Sequence, residues 1–215
     1  MSPLFVSGSA LSGATQLTEH LGRSHKLSAI YNADFVARLM WIFMVNTGED
    51  LKTQLVRCMS DTLRTTEATQ RVGAACSDTR PLLLEREDVS HRTRVLLDQL
   101  DCGLGPLALR EFVGGLFDAH CARDGKPDWV CSSSLLAHMM PQVRSLFPDM
   151  RLVHVLQPKE TLFPMAQTFQ QRFPGQYCRI DGSQLDADYR DVVSRIIAWA
   201  GAETHRPAGA HPRAA

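Results

Sequence analysis

The chain has 215 residues, 44% of them hydrophobic, which is typical of one globular domain large enough to bury a core. Lysine plus arginine number 23, and aspartate plus glutamate also number 23. Because neither sign of charge is in excess, we do not expect nucleic acid or an acidic membrane surface as a partner. Any anion that the protein binds must be held by a local site.

Targeting and cysteine patterns predict a cytoplasmic protein. No window approaches the roughly 20 apolar residues that span a bilayer, and the apolar run before Gly8 is too short for the core of a secretory signal. The six cysteines are scattered without a C-x-x-C pair, so we expect them to be reduced and structural. No histidine or cysteine group has the spacing of metal ligands, and no metal is expected.

Short apolar runs alternate with helical patterns along the chain. The predicted strands are 4–7, 27–31, 82–84, 129–131, 151–156 and 177–180. The predicted helices are 14–21, 34–46, 48–71, 89–101, 107–123, 135–147 and 188–200, with a charged turn at 85–88. This alternation predicts an α/β fold, a parallel sheet flanked by helices. We assign residues 1–202 to a single domain and predict that 203–215 is a disordered tail.

The first strand leads into a loop of small residues, LFVSGSALSGATQ at 4–16. A strand that feeds a glycine–serine turn at a helix start aims several backbone amides at one point, where the helix dipole favours an anion. Ser12 and Thr15 offer hydroxyl donors, and the Ala14 amide is expected to point into the cradle. No lysine follows Gly13, which disfavours magnesium–ATP chemistry. The alternative is a strand-to-helix turn that merely contains small residues.

A second stretch, DWVCSSSLLAHMMPQVRSLFPDMRLVHVLQP at 128–158, joins the loop in resembling the sulfotransferase family. Members of that family transfer a sulfuryl group from 3′-phosphoadenosine 5′-phosphosulfate. Their loop, of the form G-x-P-R-S-G-T-T, corresponds to GSALSGAT at 8–15, and their run L-F-P-D-A-R-F-I-H to LFPDMRLVH at 146–154. The closing strand and helix, 177–181 and 198–201, also resemble the family, whereas 35–125 carries nothing specific.

The resemblance implies a three-layer nucleotide-binding fold of the P-loop type. It also implies that the sulfuryl donor is the cofactor, held by residues at seven positions: Ser9, Leu11, Ser12, Gly13, Ala14, Thr15 and Gln157.

Several family positions have lost their charge in this chain. Leu11 replaces a basic residue, the serines 132–134 replace a K-T-P turn, and Gln157 replaces the arginine that clamps the 3′-phosphate. The serine that completes the clamp falls at about 164–165. Because charge-assisted contacts are about twice as strong as neutral ones, these losses together cost several kcal/mol of donor affinity unless another cation substitutes. The candidate substitutes are Lys159, Arg151 and Arg179.

Sulfuryl transfer to a hydroxyl needs a base near the acceptor, and the resemblance suggests Asp34 or its neighbour Asn32. The alternative role for Asp34 is to cap the following helix. We interpret His154 as structural. The apolar residues Trp41, Phe43 and Met44 form either core or a wall of an acceptor pocket.

Two functional hypotheses follow. The first is transfer of a sulfuryl group from the phosphoadenosine donor to a small hydroxylated or amino acceptor, in specialised metabolism. The second is a degenerate member of the fold that has lost donor binding and serves as a binding or scaffold partner, or that uses another phosphate-bearing ligand.

Overall fold

A computed structural model describes residues 3–9, 11–24, 26–72 and 85–201, apart from the side chains of 66–72 and 186. Five strands form one sheet in which every pairing is parallel, in the order β2–β3–β1–β4–β5. The first strand in sequence therefore lies at the centre of the sheet. The strands are β1 Leu4–Gly8, β2 Leu27–Ile30, β3 Asp128–Ser132, β4 Arg151–Leu156 and β5 Tyr177–Asp181.

Helices connect the strands and cover both faces of the sheet, as parallel connections require. They are α1 Ala14–Gly22, α2 Asp34–Val45, α3 Gly48–Val72, α4 Arg86–Asp101, α5 Gly105–Asp124, α6 Met140–Leu146, α7 Pro164–Arg172 and α8 Gly182–Gly201. Short 3₁₀ turns occupy Leu136–Met139 and Pro174–Gln176. None of the helices described combines the length and hydropathy of a membrane span.

The central strand divides the core into two clusters because its side chains alternate between the two faces of the sheet. Leu4 and Val6 belong to the smaller cluster, with residues of α1 and α8. Phe5 belongs to the larger cluster, where its ring lies 5.3 Å from that of Trp129. The predicted α/β architecture, a parallel sheet flanked by helices, is therefore confirmed.

Several local predictions need correction or fall outside the described residues. The charged turn at 85–88 is wrong: α4 begins at Arg86, and its early carboxylates lie in the first helical turn, where the helix dipole favours negative charge. The last helix begins at Gly182, with non-helical backbone at Asp188, and α7 was not predicted. The predicted strand 82–84 and the tail 203–215 lie outside the described residues.

His154 of β4 is buried, and its Nδ1 shares a hydrogen bond of 2.7 Å with the Tyr177 hydroxyl of β5. The Phe163 ring lies 5.9 Å away. Burial lowers the pKa of His154 to about 4, although the Glu160 carboxylate opposes this shift. These contacts agree with the structural role predicted from the sequence.

The buried histidine makes the protein sensitive to acid. An unfolded histidine takes up a proton near pH 6.5 and the folded one only near pH 4, so the unfolded state binds more protons between these values. We predict that the free energy of unfolding falls by about 3 kcal/mol from pH 6.5 to pH 4 through this group. Urea titrations across this range measure the loss.

The variant His154→Gln is expected to lower stability at neutral pH and to lack this part of the acid-dependent loss. The control His91→Gln replaces an exposed histidine on α4 and is expected to keep the full acid-dependent loss of stability. Equal acid slopes in the wild type and in His154→Gln would contradict the assignment.

Candidate functional site

The candidate site lies at the carboxyl end of the sheet, where the chain leaves β1, β2 and β3. The loops after these strands enclose a cavity of about 340 Å³, within the range of small-molecule sites. In open parallel sheets, ligands bind outside the carboxyl ends of the strands, where connections diverge. The connections diverge at β1, because β2 and β3 lie on one side of it in the sheet, whereas β4 and β5 lie on the other.

The loop after β1 is held close to its neighbours by a glycine at each end. A Cβ at Gly8 would lie 2.3 Å from the Ser12 Oγ and 2.5 Å from the Val155 carbonyl oxygen, so only glycine fits without rearrangement. Gly13 has a φ of 90°, in the left-handed region. Leu11 also has a positive φ, of 65°, and its side chain is 87% exposed. The Ser12 amide donates to the Ser9 carbonyl oxygen at 3.1 Å and closes the turn.

Helix α1 begins without a side-chain cap. The Ala14 amide makes a long contact of 3.4 Å with the Ser12 Oγ, and the first amide bonded within the helix is that of Leu17, which donates to Gly13. In the described part of the chain, nothing accepts from the amides of Gly13, Thr15 and Gln16. These three donors and the helix dipole favour an anion at this point. Ser12 is one of the residues predicted to bind the donor, but its amide is already used by the turn.

The opposite wall of the cavity consists of hydroxyls around one carboxylate. Ser132 ends β3 and also lines the cavity. The hydroxyls of Ser133 and Ser134, which follow it, both donate to the Asp34 carboxylate, the latter at 3.1 Å. The capping role considered for Asp34 is wrong: α2 begins at Asp34 itself, its preceding residue is Ala33, and no side chain caps it. Asp34 therefore lines the cavity as a hydrogen-bonded carboxylate.

A buried serine that the sequence analysis missed supports this wall. The Ser7 hydroxyl of β1 donates to the Ser133 carbonyl oxygen at 2.6 Å and accepts from the Ala137 amide at 3.1 Å. The Ser133 amide in turn donates to the Val6 carbonyl oxygen at 3.0 Å. A polar residue within an otherwise apolar buried strand is the sequence signal for such a role. The serine wall is thus fixed to the central strand rather than free in a loop.

The cavity contains little positive charge. Among the described residues that line it, Asp34 has the only charged side chain, and no lysine or arginine lines it. Gln157, predicted to bind the donor, is not among these lining residues. The backbone amide of Gln157 donates at 2.8 Å to the Glu160 carboxylate, which also accepts from the Ser9 hydroxyl at 3.1 Å. A second carboxylate, missed by the sequence analysis, therefore lies beside the loop.

The suggested substitute cations do not fill this gap. Arg151 is wrong as a substitute because it begins β4, at the opposite end of the sheet: its amide bonds to Pro3, and its guanidinium lies 5.1 Å from the centre of the Trp199 ring. Lys159 and Arg179 are exposed, and neither lines the cavity. Within the described ranges, no group of three or more histidine, cysteine or acidic residues is arranged to hold a metal ion.

Comparisons with known proteins find a distant structural likeness. No protein-family model and no curated protein matches the sequence. Among solved structures, the chain is similar to the sulfotransferase STF1 of Mycobacterium tuberculosis H37Rv, with 15% identity and a TM-score of 0.43. The match covers 93% of this chain and 67% of the other. At this level of similarity the match does not assign an activity.

Proposed function

We propose that this chain is a sulfotransferase-like protein that uses 3′-phosphoadenosine 5′-phosphosulfate to sulfate a hydroxyl or amine of a small acceptor. The observation that carries the proposal is that one cavity holds both the Asp34 carboxylate and three amides at the start of α1 that have no acceptor among the described residues. The sequence motifs at 8–15 and 146–154 supply the choice of donor. An anion cradle and a nearby base are the two parts that sulfuryl transfer requires.

The cradle fits the phosphosulfate end of the donor by backbone and hydroxyl donors alone. Gly13, Thr15 and Gln16 all line this cavity, and Thr15 adds a hydroxyl to their three amides. A contact between a ligand charge and a charged side chain contributes about 1.5–3 kcal/mol, and no lysine or arginine among the described lining residues makes one here. We therefore expect donor binding that is weaker than in a cation-lined site of the same fold.

Asp34 has the position and the bonding of a proton acceptor. Its carboxylate is held by the Ser133 and Ser134 hydroxyls, which fix its orientation while leaving it on the cavity wall. When bound, the donor supplies the sulfuryl group, whose sulfur gains a bond to the acceptor oxygen or nitrogen as its bond to the bridging phosphate oxygen breaks, and 3′-phosphoadenosine 5′-phosphate leaves with that electron pair. Asp34 takes the proton that the acceptor loses.

A second function, ligand binding without transfer, is favoured by one observation. The described residues of the cavity place a carboxylate, and no cation, near the position of the transferred group. Transfer needs positive charge to stabilise the oxygens between which the sulfuryl group moves. In this case the protein keeps the fold and the cradle, and it binds a phosphate-bearing ligand without turning it over.

Donor binding is tested by calorimetry with 3′-phosphoadenosine 5′-phosphate, in the wild type and in Leu11→Arg. Residue 11 lies on the cavity and is 87% exposed, so an arginine there reaches the cradle without disturbing the core. We predict that Leu11→Arg binds the nucleotide about tenfold more tightly, which corresponds to about 1.4 kcal/mol. Because the gain is electrostatic, it is expected to shrink as salt is raised.

The matched control is Leu11→Gln, which is polar at the same backbone position but carries no charge. It is expected to bind like the wild type. No heat from millimolar nucleotide in either the wild type or Leu11→Arg would rule out the donor.

Transfer itself is tested with donor labelled in the sulfuryl group and a panel of phenols, alcohols and amines. We predict that Asp34→Asn lowers the rate of transfer by about 10²–10⁴-fold, the usual contribution of a general base. Nucleotide affinity is expected to be unchanged or higher, because a negative charge leaves the cavity. The control Asp149→Asn removes an exposed carboxylate outside the cavity and is expected to be silent. Transfer at an undiminished rate in Asp34→Asn would remove Asp34 as the base.

A further inference from the structure

The two serine hydroxyls that hold the Asp34 carboxylate differ in their freedom to turn. A serine hydroxyl has one proton to donate, and its oxygen can also accept. The Ser133 Oγ accepts from the Leu135 amide at 3.2 Å and donates its own proton to the Asp34 Oδ1. Because Ser133 is buried, turning that proton away from Asp34 would cost a buried hydrogen bond. Ser133 is therefore a fixed donor to Oδ1.

Ser134 is the donor that can turn. It is exposed, and it lines the cavity. Its hydroxyl donates to the Asp34 Oδ2 at 3.1 Å, and among the described residues this is its one hydrogen bond. An exposed hydroxyl that turns away from the carboxylate finds water as its new partner at little cost. Oδ2 is therefore the oxygen of Asp34 that can take up a proton.

The central strand fixes the backbone that carries this hydroxyl. The Ser133 amide donates to the Val6 carbonyl oxygen at 3.0 Å, and the Ser133 carbonyl oxygen accepts from the Ser7 hydroxyl at 2.6 Å. Both main-chain polar groups of the residue before Ser134 are thus held by β1. The residues of the cradle line the same cavity as Ser134. An acceptor that binds beside the cradle therefore shares one cavity with the Ser134 hydroxyl.

We propose that Ser134 is a second catalytic residue, which carries the proton from the acceptor to Asp34. The inference rests on the proposed function and adds a group to its transfer step. As the acceptor oxygen or nitrogen forms its bond to sulfur, it gives its proton to the Ser134 Oγ, and Ser134 gives its own proton to the Asp34 Oδ2. The bond from sulfur to the bridging phosphate oxygen breaks, and its electron pair leaves with 3′-phosphoadenosine 5′-phosphate. Ser134 ends unchanged and Asp34 ends neutral, while Ser133 still holds Oδ1.

The relay is tested by steady-state kinetics with the labelled donor and the acceptor of the panel that reacts fastest. Ser134→Ala is expected to lower kcat about tenfold, because water replaces the lost hydroxyl only in part. KM for the acceptor and the affinity for 3′-phosphoadenosine 5′-phosphate are expected to stay within about twofold. Ser134→Thr keeps the hydroxyl and is expected to restore kcat. The control Ser145→Ala removes an exposed hydroxyl on α6, outside the cavity, and is expected to be silent.

The turning of Ser134 is tested without donor or acceptor in Asp34→Asn. The side-chain amide of this variant imitates a protonated carboxyl, with one oxygen that accepts and one group that donates. The inference predicts that the amide oxygen lies beside Ser133, where Oδ1 was, and that the amide nitrogen donates to a Ser134 hydroxyl that has turned to accept. Neutron diffraction from deuterium-exchanged crystals locates the nitrogen, the oxygen and the deuterium atoms.

The outcomes separate this inference from the proposed function. Transfer by the wild type that Ser134→Ala leaves unchanged would overturn the relay alone, and so would a loss in Ser134→Ala that Ser134→Thr does not restore. An amide nitrogen beside Ser133 in the Asp34→Asn crystals would also overturn it, because Ser133 would then be the hydroxyl that turns. No transfer by the wild type to any acceptor would overturn the proposed function and the relay with it.

Discussion

The account depends on three main-chain amides at the start of α1 that have no acceptor in the described chain. The first amides of a helix have no acceptor within the helix, and no side chain caps α1. In the preceding turn the Ser12 amide donates to the Ser9 carbonyl oxygen, and the buried Ser12 hydroxyl lies 3.4 Å from the Ala14 amide. Glycines on two neighbouring elements allow this packing. A Cβ at Gly8 would meet the Ser12 hydroxyl, and one at Gly182 would lie 2.8 Å from the Ser12 carbonyl oxygen.

This arrangement gives the cavity an unusual balance of charge. Positive potential comes from backbone dipoles, while the described side chains contribute hydroxyls and the Asp34 carboxylate, with Glu160 beside the loop. Backbone donors cost no side-chain ordering, but they carry only partial charges. The cradle therefore fixes the position of a ligand anion but neutralises only part of its charge. The exposed Arg38 lies one helical turn beyond Asp34 on α2 and is not among the described residues that line the cavity.

The architecture was predictable because its signals are local. The apolar strand 151–156 was placed with its observed ends, and the turn between β1 and α1 was recognised from its glycines and serines. The errors have local causes too. Residues 85–88 were predicted to be a solvated turn because all four are charged, a pattern that the start of a helix also shows. Helix α7 was missed because its apolar pattern is weak and it begins with a proline.

The site was only partly predictable, because its contacts join distant parts of the chain. Asp34 meets Ser133 across 99 residues, and Ser9 meets Glu160 across 151. No periodicity or motif in a single sequence reports such pairs. The resemblance placed Gln157 at the donor site, and it could not show that the backbone amide of Gln157 donates to the Glu160 carboxylate. Arg151, by contrast, could have been excluded from the sequence, because it begins a strand of the predicted parallel sheet and so lies at the end opposite the loop after β1.

The central claim is that the amides at the start of α1 receive an anion, and amide chemical shifts measured by NMR test it most directly. The protein is titrated with 3′-phosphoadenosine 5′-phosphate at constant ionic strength, with sodium chloride as the control. The account predicts that the amide signals of Gly13, Thr15 and Gln16 move together with one dissociation constant, while that of Ser12, already bonded to Ser9, moves less. Unmoved signals for those three amides at saturating nucleotide, or shifts confined to other parts of the chain, would contradict it.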